Sequence, residues 1–381
     1  MATSTIGRYE IVGRIAIGDH RELLLGREPS GRPVAIKRVP PGLARGSTAH
    51  HPNLVEVYEL VQVGDELFLV EEYLEGENLA GLVRRLIKRR ERISFALAAH
   101  MIAEICDGIH AAHQAGELHR AVAPENVFIT YGGDVKLLDL GIAAIAEESL
   151  YRSPEQAEQQ PLGRQTDVYS LGLVLYELTT LRRVVVDASE IGEPIPRPST
   201  QVSAYPEALD DVCARAIDRD PAQRYRSAAE MRDALLDAAR QLGVEPEPGQ
   251  ALASKLMRLF GDRIATKREL LYRVRVGLPL GDVVPAEADE DVAVPAVTRP
   301  ERARRPTPAP PPPDVVVSEL PPADTEPTNP LRPAARAMPV VPPPPQPRSF
   351  RWGVLVLFVL AVALGGAAGW YLRSYGLPFE I

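Results

Sequence analysis

Apolar positions in the first part of the chain come in short runs or alternate with polar ones, and Gly, Pro and Asp bound each run. Residues 9–15, 22–27, 34–39, 54–63 and 67–73 have the length and period of β-strands joined by short connections. From Leu79 onward the period lengthens to that of a helix, most clearly over 96–112, 167–180, 208–217 and 228–242. A small antiparallel sheet followed by a larger helical part defines an α+β, two-lobed domain over residues 9–242. One further amphipathic helix is predicted over 250–274, either packed on the second lobe or leading onward from it. No internal repeat interrupts this order.

Composition changes after that helix. Residues 277–350 are rich in Pro, Ala, Glu and Asp, with four-proline runs at 310–313 and 342–345. Such a stretch buries too little apolar surface to offset its ordering entropy. It is expected to be a disordered Pro-rich linker, with a reach on the order of 50 Å as a coil. A spacer is favoured over a docking site for a proline-recognition domain. Residues 352–372 then carry no charge, and at 1.5 Å per residue they span about 30 Å, the thickness of a bilayer core. Trp352 lies at one end and Trp370 and Tyr371 at the other, as headgroup zones favour. Arg332, Arg336, Arg348 and Arg351 precede the run and only Arg373 follows within the tail 373–381. The expectation is a single-pass transmembrane helix, with the N-terminal domain cytoplasmic and a short extracytoplasmic tail. Ala361, Gly365 and Gly369 recur every four residues in it, a spacing that suits a homodimer.

Charge and cysteine usage remove other classes. A net charge of -8 gives no reason to expect nucleic acid as a partner. The segment 1–9 has no basic start followed by an apolar core, so no signal peptide is expected. Cys106 and Cys213 are far apart and lie in helical segments, without metal or disulfide spacing.

The candidate chemistry lies in a series of short motifs: Val34-Ala35-Ile36-Lys37 on the third strand, His51-Pro52-Asn53, His119-Arg120-Ala121-Val122-Ala123-Pro124-Glu125-Asn126, Asp139-Leu140-Gly141 and Ser153-Pro154-Glu155. Asp167 to Gly172 and Asp220 to Tyr225 continue the series. In this order the motifs resemble a protein kinase, and most resemble bacterial receptor-type serine/threonine kinases, over about 9–242. The resemblance implies ATP and Mg2+ as cofactors, a bacterial inner (cytoplasmic) membrane location, and another kinase or signalling protein as partner. It makes Lys37 the phosphate-contacting lysine, Asp139 and Asn126 the Mg2+ ligands, and Gly18 and Ala35 parts of the nucleotide site. Asp167 would brace the catalytic loop, and Glu155 with Arg224 would form a buried structural ion pair.

The departures from the family pattern weigh more. Ala121 stands where the family has the aspartate that takes the hydroxyl proton, and Ala123 where a lysine steadies the γ-phosphate. The glycine-rich loop reads Ala16-Ile17-Gly18-Asp19-His20-Arg21, which keeps one glycine and adds a negative charge. Only thirteen residues, Arg38 to His50, separate Lys37 from His51, none of them acidic, so a full αC helix and its glutamate do not fit. Eleven residues separate Gly141 from Ser153, a shortened activation segment in which Glu148 stands about where a threonine is usual.

ATP and Mg2+ binding is therefore expected to be weak or absent, and the expected role is that of a pseudokinase scaffold or regulator. A feeble kinase using Lys37, Asn126 and Asp139, and a nucleotide sensor without turnover, stay open beside it. Alignment of 67–73 with the family's hinge strand puts Glu71 at the gatekeeper, which suggests a Lys37–Glu71 pair in place of the missing αC partner; a solvated, unpaired Glu71 is the alternative. The basic cluster Arg84, Arg85, Lys88, Arg89, Arg90 and Arg92 is expected to be a solvated helix face rather than a lipid- or acid-binding patch.

Overall fold

The computed structural model describes residues 4–18, 21–40, 46–142, 149–184, 194–243, 247–278 and 292–297. The predicted span at 352–372, with Ala361, Gly365 and Gly369, lies outside them, as do the tail, most of the Pro-rich stretch, Asp19 and Glu148. No described helix is long and apolar enough to cross a membrane.

The first lobe is a six-stranded antiparallel sheet. It comprises β1 (Thr5–Ile6), β2 (Tyr9–Gly18), β3 (Arg21–Arg27), β4 (Pro33–Val39), β5 (Val57–Val63) and β6 (Glu66–Glu72), in the order β1-β2-β3-β4-β6-β5. Strand β1 is too short to show a period in the sequence. The predicted fourth strand begins three residues late, because Leu54 bridges Leu137 and the Val55 N–H donates to the Leu137 carbonyl at 2.9 Å in the other lobe. Among the described residues between β4 and β5 there is no helix, in keeping with the thirteen-residue gap. Tyr9, Val34, Ile36, Phe68 and Val70 fill one face of the sheet. Alternation along the strand puts Ala35 and Lys37 on the other face.

The second lobe contains a three-stranded sheet, β7 (Gly76–Asn78), β8 (Val127–Thr130) and β9 (Val135–Leu137), and the helices α1 (Leu79–Arg89), α2 (Phe95–Gln114), α3 (Pro154–Ala157), α4 (Arg164–Thr180), α5 (Glu207–Ala216) and α6 (Ala228–Leu242). Asn78, Ser94 and Ser227 cap α1, α2 and α6 by accepting from backbone N–H groups of the first turn, which fixes where each helix starts. Helix α4 is buried on every side from Thr166 to Thr180, so it has little amphipathic pattern. It is the central post of the lobe.

Helix α7 (Pro248–Val276) covers and slightly outruns the predicted 250–274 segment, with a break at Phe260 (φ −122°, ψ 18°). It serves both lobes. Leu252, Leu256, Leu259, Phe260 and Ile264 join the helical core, whereas Leu270, Leu271 and Val274 form a cluster with Leu25 of the first sheet, against Val12, Ile15 and Tyr73. Arg27 Nη1 donates to the Val274 carbonyl at 3.3 Å, and Arg275 pairs with Glu75 at 3.3 Å. Residues 292–297, inside the stretch expected to be a disordered linker, also rest on the second lobe: the Arg183 N–H donates to the Pro295 carbonyl at 2.8 Å and the Val297 N–H to the Arg183 carbonyl at 3.0 Å.

The basic cluster is not a uniformly solvated face. Arg85 is buried, with Nη1 donating to the Leu259 carbonyl at 2.9 Å and its guanidinium 4.7 Å from the Phe260 ring. Arg92 donates to the Thr179 carbonyl at 2.9 Å. Helix α7 thus covers Arg85 and the end of α4 holds Arg92, which periodicity within α1 could not reveal.

Candidate functional site

Between the lobes lies a cleft of about 470 Å³, within the range of small-molecule sites. Ile15, Leu23, Ala35, Leu138 and Phe128 give it apolar walls, and Lys37 and Glu71 lie at its inner end. Strand register explains their meeting. Ala35 stands opposite Glu71 and Lys37 opposite Leu69 in the β4–β6 ladder, so Lys37 and Glu71 are diagonal neighbours on one face, within reach of long side chains. Lys37 pairs with Glu71, and its Nζ also lies 2.7 Å from Asp139 Oδ1. The pair suggested by the sequence is therefore present, and Asp139 makes it a triad.

All three groups are desolvated. Glu71 is 2% exposed and Asp139 4%, and Glu71 Oε2 is buried with no hydrogen-bond partner. Burial works against the Lys37 charge, but Asp139 and Glu71 outweigh it and hold the ammonium above the usual lysine range. Burial pushes the Glu71 carboxyl above its usual range; Lys37 opposes that rise and Asp139 adds to it.

The loop that holds a kinase's catalytic groups is intact as a scaffold. Asp167 Oδ2 accepts from the His119 N–H at 2.9 Å and lies 2.8 Å from His113 Nε2, while its Oδ1 accepts from the Arg120 N–H at 2.7 Å. Burial would raise the Asp167 carboxyl, but the His113 contact and the other donors hold it below the ordinary range. His119 Nδ1 accepts from the Ala121 N–H at 3.3 Å, so its Nε2 carries the proton and donates to the Leu138 carbonyl at 2.7 Å. Arg224 grips Glu155 with two bonds at 2.8 and 3.0 Å, as the resemblance implied. Into this frame the chain places Ala121, a methyl group with no acid–base capacity. Asn126 Nδ2 donates to the Ala121 carbonyl at 2.8 Å. Ala123 is buried, and Gly18 pairs with Arg21 at the end of the β2–β3 ladder.

Several residues of the cleft were not singled out in the sequence as part of it: Glu77, Arg263 and Lys267, and Arg84, noted only as one of a basic run. Glu77, 6% exposed, accepts from Tyr131 Oη at 2.6 Å and pairs with Lys267 at 2.8 Å and Arg263 at 2.9 Å. Arg263 and Lys267 are one turn apart on α7, a spacing visible in the sequence, but only the crossing of α7 from lobe to lobe brings them to the cleft.

A two-lobed body, a cleft beneath the sheet, and a lysine and an aspartate meeting in it beside an HRD-like loop define a protein-kinase-like molecule. The protein kinase domain family matches residues 43–234, half of the chain, and the chain belongs to that family. The match begins after the strands that carry Gly18 and Lys37. The serine/threonine-protein kinase PknB of Mycolicibacterium smegmatis is 30% identical over 270 residues, 60% of this chain, and the tyrosine-protein kinase MasK of Myxococcus xanthus is 29% identical over 275 residues. The chain spans 42% of the length of each. The PknI kinase domain structure from Mycobacterium tuberculosis shares the fold, with a TM-score of 0.54 at 23% identity, covering 62% of this chain and 99% of that one.

Members of the family use ATP and Mg2+, but the residues here do not fit that pair. Moving Lys37 onto phosphates would strand Glu71, whose second oxygen already lacks a partner.

Proposed function

We propose that this chain is a membrane-anchored pseudokinase of the bacterial serine/threonine kinase family that works by binding, as a scaffold or allosteric regulator of another kinase or signalling protein. The observation that carries this reading is Ala121 at the proton-acceptor position, on a loop otherwise braced by Asp167 and His119. The position of Lys37 supports it, since the lysine that the family turns to a nucleotide's phosphates is held here by two carboxylates. General acid–base help alone is worth about 10²–10⁴-fold, and positioning is lost with it. The 352–372 run and the arginines before it support an anchor in the cytoplasmic membrane with the kinase-like domain inside. The small-residue spacing within that run supports self-association there.

Radiolabelled ATP tests the catalytic part. No incorporation into the chain or a generic acceptor protein is expected above a protein-free blank. Ala121→Asp is expected to stay equally silent, because Lys37 remains tied to Glu71. Robust turnover by the parent overturns the pseudokinase reading, and turnover by the variant shows that the base was the only defect.

A further inference from the structure

The cleft's charge runs in the opposite sense to the one a metal-bound triphosphate needs. At the inner end one ammonium, Lys37, meets two carboxylates, Glu71 and Asp139. At the outer end, where α1 and α7 meet β7, the balance reverses: Glu77 is shared by Arg263 and Lys267, and Arg84 adds a third cation. Arg84 makes no ion pair among the described residues, and its Nε is buried without a hydrogen-bond partner. The other two acids on the wall are engaged elsewhere, Glu72 with Lys136 at 2.7 Å and half-exposed Glu125 with Arg183 at 3.9 Å. Burial, and then the charge of Arg263, hold the Lys267 ammonium below its usual range despite Glu77, so a second anion beside it would be welcome. Ile15, Leu23, Ala35, Leu138 and Phe128 give the same cleft its apolar walls.

We infer that the cleft takes a nucleotide-like ligand, an aromatic ring bearing a phosphate, with the ring between the walls and the phosphate turned outward onto Arg84 and Lys267, without a metal ion. Helix α7 is then part of the binding site as well as of the fold, and an occupied cleft ties α1 to α7. This rests on the cleft being non-catalytic, but the test reads binding rather than turnover. A failure of binding would therefore leave that reading standing, whereas labelled-phosphate incorporation would remove both.

The test is calorimetric titration of the full chain, in detergent, with ATP in EDTA. ATP is expected to bind without metal, and added Mg2+ is expected not to tighten it. Arg84→Gln, which breaks no ion pair, is expected to weaken ATP at least tenfold while leaving adenosine binding as in the parent. Lys267→Gln, which leaves Glu77 with Arg263, is expected to act in the same direction. Any of three results overturns the inference: no binding in EDTA, binding that appears only with Mg2+, or Arg84→Gln binding ATP as tightly as the parent.

Discussion

A chain that stops at Gly243 is expected not to fold stably at 25 °C, whereas one that stops at Leu278 is expected to fold. The difference is α7. It buries Leu252, Leu256, Leu259, Phe260, Ile264, Leu270, Leu271 and Val274. At about 1.5–3 kcal/mol for each fully buried apolar side chain, the loss of these eight amounts to roughly 12–24 kcal/mol, an upper estimate because unfolded chains also bury some surface. Whole domains have only about 5–15 kcal/mol to lose. Truncation would also leave Glu77 buried without Arg263 and Lys267. Thermal melts followed by circular dichroism check this. Leu271→Asp within the longer chain should lower Tm through the first lobe alone, since α7 keeps its hold on the second. Equal melting of all three chains would make α7 a passive appendage.

Lys37→Met is expected to destabilise the domain by about 3–5 kcal/mol, the usual cost of removing one partner of a buried ion pair. In an ordinary kinase the corresponding lysine serves the nucleotide, so its loss is felt in activity. Here Glu71 and Asp139, each almost wholly buried, would be left together without their shared cation. The double variant Lys37→Met/Glu71→Met should recover much of the loss, because it replaces the stranded charge with apolar volume. The penalty should also depend on pH. With Lys37 gone, nothing opposes the burial that already raises the Glu71 carboxyl. A carboxyl raised in the folded state holds its proton where the unfolded chain has lost it, so stability falls as pH climbs from the ordinary carboxylate range through the folded value. The single variant should therefore come closest to the parent in acid and fall furthest behind at neutral and alkaline pH. A denaturant-unfolding series at several pH values reads both effects. A single variant as stable as the parent, or a double variant no better than the single, would remove the triad from the account of the fold.

Much of the kinase-like body was legible in the sequence because it depends on local signals. The strand period of the first lobe, the change to a helical period after Leu79 and the motif around Ala121 each declare themselves within a few residues. The Lys37–Glu71 pair was legible too, since ladder register follows from strand alignment. What stayed hidden depends on where a helix goes after it forms. Nothing within 250–274 says that its far end reaches Leu25, and until it does, Arg85 reads as a surface arginine and Glu77 as a loop acid. Strand β5 was overextended for the same reason, because the pull of Leu137 on Leu54 comes from another lobe.

Helix α7 bears on how such a protein could signal. Where two lobes are joined by a bare hinge, closing them around a ligand removes conformational freedom at the moment of binding. A helix packed on Leu25 at one end and on the helical core at the other has already removed that freedom at folding. Occupancy should then register as added thermal stability with little change in radius of gyration. A partner that docks across both lobes would meet a surface already in its final shape, with little ordering cost to set against its contacts.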